Sequence, residues 1–183
     1  MTDSIRPEDV LSFWFSDQMI PNHFRKDPDI DRAITDQFMA AYEDAVAGRL
    51  GGWTDDALGS LALVITLDQF PRNMFRDSPR AFAADDQALA AADAAITRGF
   101  DDALTQDQRV FLYMPFMHTE SRAGQDRSVR LYEKLGIETN LSFARAHRDV
   151  IVEFGRFPHR NAVLGRPSTP EEEVYLSDPD AGF

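Results

Sequence analysis

The chain contains no cysteine, which removes disulfides, thiolate nucleophiles, thiolate zinc sites and cysteine-held iron–sulfur clusters together. Lysine is almost missing as well, Lys26 and Lys134 being the only two, so the positive charge is carried by arginine. No long hydrophobic run occurs. The longest, Leu61 to Leu67 with Thr66 inside it, falls far short of the roughly 18 residues a membrane span needs. Met1 is followed by polar Thr2, Asp3 and Ser4, so neither a signal peptide nor a membrane partner is expected and the cytoplasm is the default compartment. Positive charge is in deficit: Lys+Arg of 19 against Asp+Glu of 31 gives −12, which disfavours nonspecific attraction to nucleic acid or an anionic membrane. There is no Walker loop, and Gly51-Gly52 lacks the strand context of a dinucleotide fingerprint, so no cofactor is expected.

What is present describes a globular protein. At 20.7 kDa, 43% hydrophobic and with 14 phenylalanines, the chain can bury a core as one domain, residues 1–183, or as a closely packed pair of lobes. Pro7 opens a helix through Val10, Leu11 and Trp14 to about Phe15; Asp27-Pro28 opens a second, with Ile30, Ile34, Phe38, Ala41 and Ala45 on one face and Gly48 at its end. Thr54 or Asp55 should cap a third, through Leu58, Leu61, Ala62 and Ile65 to Phe70, with Pro71 stopping it. Ser78-Pro79 restarts an alanine-rich helix over residues 81–96; Thr105 and Gln108 fit a capping box for a helix that Pro115 should kink or end. Residues 128–135, closed by Gly136, and 140–154 follow, and Thr169-Pro170 with Glu172 fits a capped terminal helix to Leu176. Nothing alternates at period two. The expected fold class is all-α: seven or eight helices in antiparallel pairs.

Two corners echo one another. Asp68-Gln69-Phe70-Pro71-Arg72-Asn73 closes one apolar helix, and Gly155-Arg156-Phe157-Pro158-His159-Arg160-Asn161 closes another. Each runs from Phe-Pro to Arg-Asn, meets a further arginine (Arg76, Arg166) and leads to a Ser/Thr-Pro helix start; the second has one residue inserted, His159. Residues that precede proline avoid helical dihedrals, so each Phe-Pro should end its helix. Arg72 and Arg160 could bond the last helical carbonyls while Asn73 and Asn161 take left-handed conformations. Alternatively, Arg72, Asn73, Arg156, Arg160, Asn161 and Arg166 converge on one phosphate or carboxylate. Residues 156–166 hold three arginines and a histidine with no acidic residue, in a chain of net charge −12.

Between the corners lies Pro115-Phe116-Met117-His118-Thr119-Glu120-Ser121. His118 and Glu120 on irregular backbone could form a general acid/base pair, with His159 as a further candidate. The same three have metal-donor chemistry, yet no diagnostic spacing such as H-E-x-x-H is present, so no metal is assigned. Ser121 lacks a nucleophile-elbow context. His147 reads as an ordinary helix histidine, His23 is uninformative, and Trp14, Phe15 and Trp53 read as core.

These motifs, with Val10-Leu11-Ser12-Phe13-Trp14-Phe15 at the start and Leu164-Gly165-Arg166 and Ser168-Thr169-Pro170-Glu171-Glu172 at the end, resemble the family catalogued as domain of unknown function 924. The resemblance spans essentially the whole chain. It implies a tetratricopeptide-like helical fold and bacterial occurrence, with no established activity. At Thr119 the chain departs from the serine of that family's His-Ser-Glu while keeping a hydroxyl. Two functions stay open: a basic pocket for a small anionic molecule, which could support hydrolase-type chemistry through His118, Glu120 and His159, or a helical module that binds an acidic peptide through the arginines. The sequence leaves catalysis and oligomeric state open.

Overall fold

The computed structural model describes residues 5–178, 181 and 182; residues 1–4, on which the expectation of no leader rests, lie outside them. The described residues form helices and no strand, and the fold is all-α. They divide into two compact units. The first takes the chain through Arg76 and again from Arg80 to Pro115, and the second takes Asp77–Pro79 and the chain from Phe116 onward.

In the first unit, α1 (Pro7–Trp14), α2 (Pro28–Val46) and α5 (Asp85–Thr97) pack on α3 (Ala57–Asp68), and the short α4 (Phe70–Met74) packs on α2. The centre of the unit is α3 because it is apolar all round: every residue from Gly59 to Asp68 is buried, the pattern of a helix enclosed by others. Trp14, Ile34, Phe38, Leu61, Ile65 and Phe70 are at most 2% exposed, each burial contributing about 1.5–3 kcal/mol before entropy is counted. Phe38 stacks on Phe70 at 4.7 Å, and Trp14 meets Phe70 edge-on at 5.8 Å. The alanines of α5 that face inward, Ala88, Ala92 and Ala95, let its backbone approach closely. Gly59 fits one such approach, since a Cβ there would stand 2.3 Å from the Trp53 carbonyl oxygen.

In the second unit, α7 (Arg122–Leu135) and α8 (Glu138–Phe154) pair across a two-residue link that begins with Gly136 in the left-handed region, and α9 (Pro170–Leu176) packs on a 3-10 turn at Pro158–Arg160. The helix before α7 in sequence, α6 (Gln106–His118), passes through Pro115 and ends three residues later. Among the described residues no helix is long and apolar enough to cross a membrane.

Several local expectations hold. Asp27 caps α2 at 2.9 Å from the Asp29 N–H, and both halves of the Thr105/Gln108 and Thr169/Glu172 capping boxes are made. Others need correction. Asp56, rather than Thr54 or Asp55, caps α3 by accepting from Gly59 N–H at 2.8 Å. Pro71 does not stop a helix but starts one: Gln69 has helical dihedrals, and Pro71 sits in the first turn of α4, where a missing N–H costs nothing. Asn73 is inside that helix and Asn161 is right-handed at φ −59°; among the described residues the non-glycine in the left-handed region is Asp77, at φ 56°. Ser78-Pro79 leads into a 3-10 turn, Pro79–Phe82, and the alanine-rich helix begins only at Asp85.

Candidate functional site

Phe157 behaves as the sequence suggests, extended before its proline at φ −91°, ψ 104°, after Gly155 has ended α8 in the left-handed region. Its ring is fully buried and organises the polar side chains of the second unit. The Arg160 guanidinium lies over it at 4.6 Å, the His147 ring meets it edge-on at 5.7 Å, and the His159 ring lies tilted against it at 5.5 Å. His118 stands 6.4 Å from His147. Arg160 and His147 are buried at 7% and 6% exposure, while His118, His159 and Glu120 are half-buried and form the edge that solvent reaches. Gly182 packs against His159, its absent Cβ falling 3.2 Å from the histidine Cβ.

Backbone contacts hold this cluster in place. Arg160 Nη2 donates to the His118 carbonyl, the last of α6, at 3.0 Å. On either side of His118, the carbonyls of Met117 and Thr119 both accept from Gln125 Nε2 at 2.7 Å. Ser121 caps α7 by accepting from Gly124 N–H, a structural role for the hydroxyl beside His118. Gly124 is needed because a Cβ there would lie 2.4 Å from the Thr119 methyl.

The carboxylates are engaged. Glu120 accepts from Phe157 N–H at 2.8 Å and from Arg166 Nη1 and Nη2 at 2.8 and 2.9 Å. Burial works against its charge, but these bonds and nearby Arg160 outweigh it and hold the carboxyl below its ordinary range. Arg166 Nε donates to Asn161 Oδ1 at 3.0 Å, Asn161 Nδ2 donates to Glu172 at 3.1 Å, and Arg156 holds Glu172 at 2.6 and 2.7 Å. Arg156 thereby draws the Glu172 carboxyl down to about 2. The imidazoles move the other way in charge: burial first, then the surrounding cations, lower His147 to about 3 and His159 to about 4, so both are neutral at pH 7.

The first unit contains a counterpart of this corner. Arg72 Nη1 donates to the Asp68 carbonyl, the last of α3, at 2.5 Å, as Arg160 does to the last carbonyl of α6. Arg76 donates to Asn73 Oδ1 at 2.9 Å and grips Asp31 at 2.6 and 2.7 Å, as Arg166 does with Asn161 and Glu120. Arg72 also meets Asp85 at 3.0 Å and the buried Asp68 at 3.4 Å. The sequence echo is therefore a structural one: an asparagine-braced arginine clasping a distant carboxylate, beside an arginine that caps a helix.

Of the nine residues the sequence singled out, Arg156, Arg160, Asn161, Arg166, His118, Glu120 and His159 all belong to the second unit, and Arg72 and Asn73 belong to the first. Sequence reading missed His147, Gln125 and Glu172 as site residues. For His147 a signal existed, because it continues the inward stripe Leu141, Ala144, Val150 and Ile151 of α8; for Gln125, fully buried on α7, none did. An open recess of about 290 Å³ lined by Glu153, Phe154, Thr169, Glu171 and Glu172 has the wrong sign for an anion. Among the described residues no three histidine or carboxylate side chains are disposed to hold a metal ion.

No curated protein matches the chain. A solved structure does: a protein of unknown function from Agrobacterium tumefaciens, 44% identical, with a TM-score of 0.89 over 93% of this chain and 96% of that one. The family model described as bacterial protein of unknown function (DUF924) matches residues 10–180, and with the motifs and helices above in place, the chain belongs to that family.

Proposed function

We propose that the second unit binds a small phosphate- or carboxylate-bearing molecule at the histidine–arginine cluster around Phe157. The observation that carries this reading is the collection of one guanidinium and two imidazoles, those of His147 and His159, about a single buried ring, with His118 beside His147, in a chain whose net charge is −12. Glu120 and Glu172, the carboxylates nearest in the hydrogen-bond network, are held by Arg166 and Arg156, which leaves the cluster's field positive. A hydrolase-type step there would move its proton through His118 or His159 at the solvent edge, with Glu120, already chelated, orienting its neighbours. We read the paired helices as tetratricopeptide-like, and a cytoplasmic setting goes with the same proposal.

Titration calorimetry with inorganic phosphate and with citrate, at millimolar concentrations, tests the site. The expected result is binding by the native chain and its loss in a His118→Gln/His159→Gln variant that melts normally. Absence of binding by either anion overturns the reading, and capture of an Asp/Glu-rich peptide in their place converts the cluster into the anchor of an interaction module.

A further inference from the structure

The backbone at Ala181 and Gly182 lies on the edge of the cluster. Ala181 N–H donates to the Asp178 carbonyl at 3.0 Å, and Gly182 N–H donates to the Tyr175 hydroxyl at 3.3 Å, which ties the segment to the C-terminal end of α9. From there Gly182 packs against the His159 ring. A Cβ on Gly182 would stand 3.2, 3.3 and 3.5 Å from Cβ, Cγ and Nδ1 of His159, and Gly182 adopts φ 91°, a backbone conformation that favours glycine. The His159 Nδ1, on that side of the ring, is out of contact with solvent. Resting on the anion reading above, we infer that the backbone at Ala181 and Gly182 is a strap that closes the His159 edge of the cluster and has to lift before an anion reaches that ring.

The two sides of this contact are held with different firmness. His159 belongs to the 3-10 turn Pro158–Arg160 and lies against the buried Phe157 ring. Tyr175, which holds the strap, is rooted as well: its ring packs on Phe154 at 5.2 Å and on the core formed by Val150, Ile151 and Phe157. The strap brings no side chain at Gly182 and a single methyl at Ala181, and its bond to Tyr175 is at the long end of the hydrogen-bond range. It is therefore the partner that local opening releases. Burial is the first cause that lowers His159 to about 4, and the Gly182 backbone contributes to that burial. A site whose competent form is open for only part of the time binds with its intrinsic affinity reduced by that fraction. The strap thus sets the apparent affinity without altering the donors that meet the ligand.

Two readouts test this on the full chain. Diethyl pyrocarbonate, which acylates neutral imidazole, reports the exposure of His159 without any ligand, and sulfate serves as the anion. Gly182→Val pushes the strap off, because its side chain meets the ring at an unfavourable φ; Tyr175→Phe removes the hydroxyl that accepts from Gly182 and keeps the packed ring. In both variants His159 should be acylated faster than in the native chain at about pH 7.5, read by peptide mass spectrometry with His23 of the first unit as an unchanged reference. The sulfate Kd should fall by about tenfold in Gly182→Val, the value for a strap open about a tenth of the time, and by about two- to fivefold in Tyr175→Phe, the value for one weak hydrogen bond. Equal acylation of His159 in all three chains overturns the strap, and faster acylation with an unchanged Kd overturns its control of access; both results leave the anion site standing. Absence of sulfate binding by all three chains overturns the anion reading and this inference together.

Discussion

Arg166 closes on Glu120 with both terminal guanidinium nitrogens, 2.8 and 2.9 Å from the two carboxylate oxygens. The same carboxylate accepts from Phe157 N–H, so a single acid at the α6–α7 junction fixes both the arginine and the extended residue of the second corner. Glu120→Ala should therefore cost about 2–3 kcal/mol, since it strands a partly buried cation and a backbone donor, whereas Glu120→Gln should cost less because one oxygen remains to accept. Urea unfolding of both variants measures the difference; equal and negligible losses would show that the clasp does not stabilise the unit.

Arg72 and Arg160 look alike in sequence and both cap a helix, but the proposed site is that of the second unit, where Arg160 lies over Phe157. Arg160→Ala should weaken phosphate binding at least tenfold, and Arg72→Ala should leave it unchanged while lowering the melting temperature. A loss of affinity in Arg72→Ala would contradict a site confined to the second unit.

The buried imidazoles make stability depend on pH with a definite sign. His147 and His159 fall from 6.5 in the unfolded chain to about 3 and about 4 in the fold, so between those values the unfolded chain binds more protons. Stability should be full above pH 6.5 and decline as pH falls towards 4, with a slope of at most about 1.4 kcal/mol per unit for each histidine. His147→Gln should flatten that slope in denaturant midpoints recorded across the range. An unchanged slope would mean that His147 is solvated in the folded chain.

Gly59→Ala should be severe, of the order of 3 kcal/mol, because the added methyl meets the Trp53 backbone oxygen at 2.3 Å, and the Trp53 side chain, partly buried against the core, holds that turn on α3. Thermal unfolding with the far-UV signal would reveal it; a loss below about 1 kcal/mol would require the Trp53 turn to move freely.

Gly124→Ala should be destabilising beside Thr119, whose methyl stands 2.4 Å from the new Cβ, and much milder in a Thr119→Ser background, where the nearest remaining side-chain carbon is 3.6 Å away. A double-mutant cycle should return a coupling of about 1 kcal/mol. Additive costs would remove the proposed contact between the two positions.

How far the sequence could be read follows from how local the causes are. Helix starts at Asp27, Thr105 and Thr169 were legible because each cap is made within three residues. Pro71 was misjudged because proline is compatible both with ending one helix and with opening the next, and only the packing of Phe70 against Phe38 and Trp14 decides between them. The candidate site was legible in its residue types but not in its pairing. The arginines of residues 156–166 look unopposed in sequence, yet Glu172 and Glu120 reach them from 16 and 46 residues away. His147 reads in the sequence as an ordinary helix histidine because a histidine on an apolar stripe has the same spacing whether or not other imidazoles stand beside it.

Each clasp joins residues separated by nearly the same stretch of chain, 45 positions between Asp31 and Arg76 and 46 between Glu120 and Arg166. The entropic penalty of closing a loop grows only as the logarithm of its length, so the two closures differ by about 0.02 kcal/mol. Neither half gains a kinetic head start from its ring size. The order in which the halves acquire structure must be set by how readily the helices inside each ring nucleate.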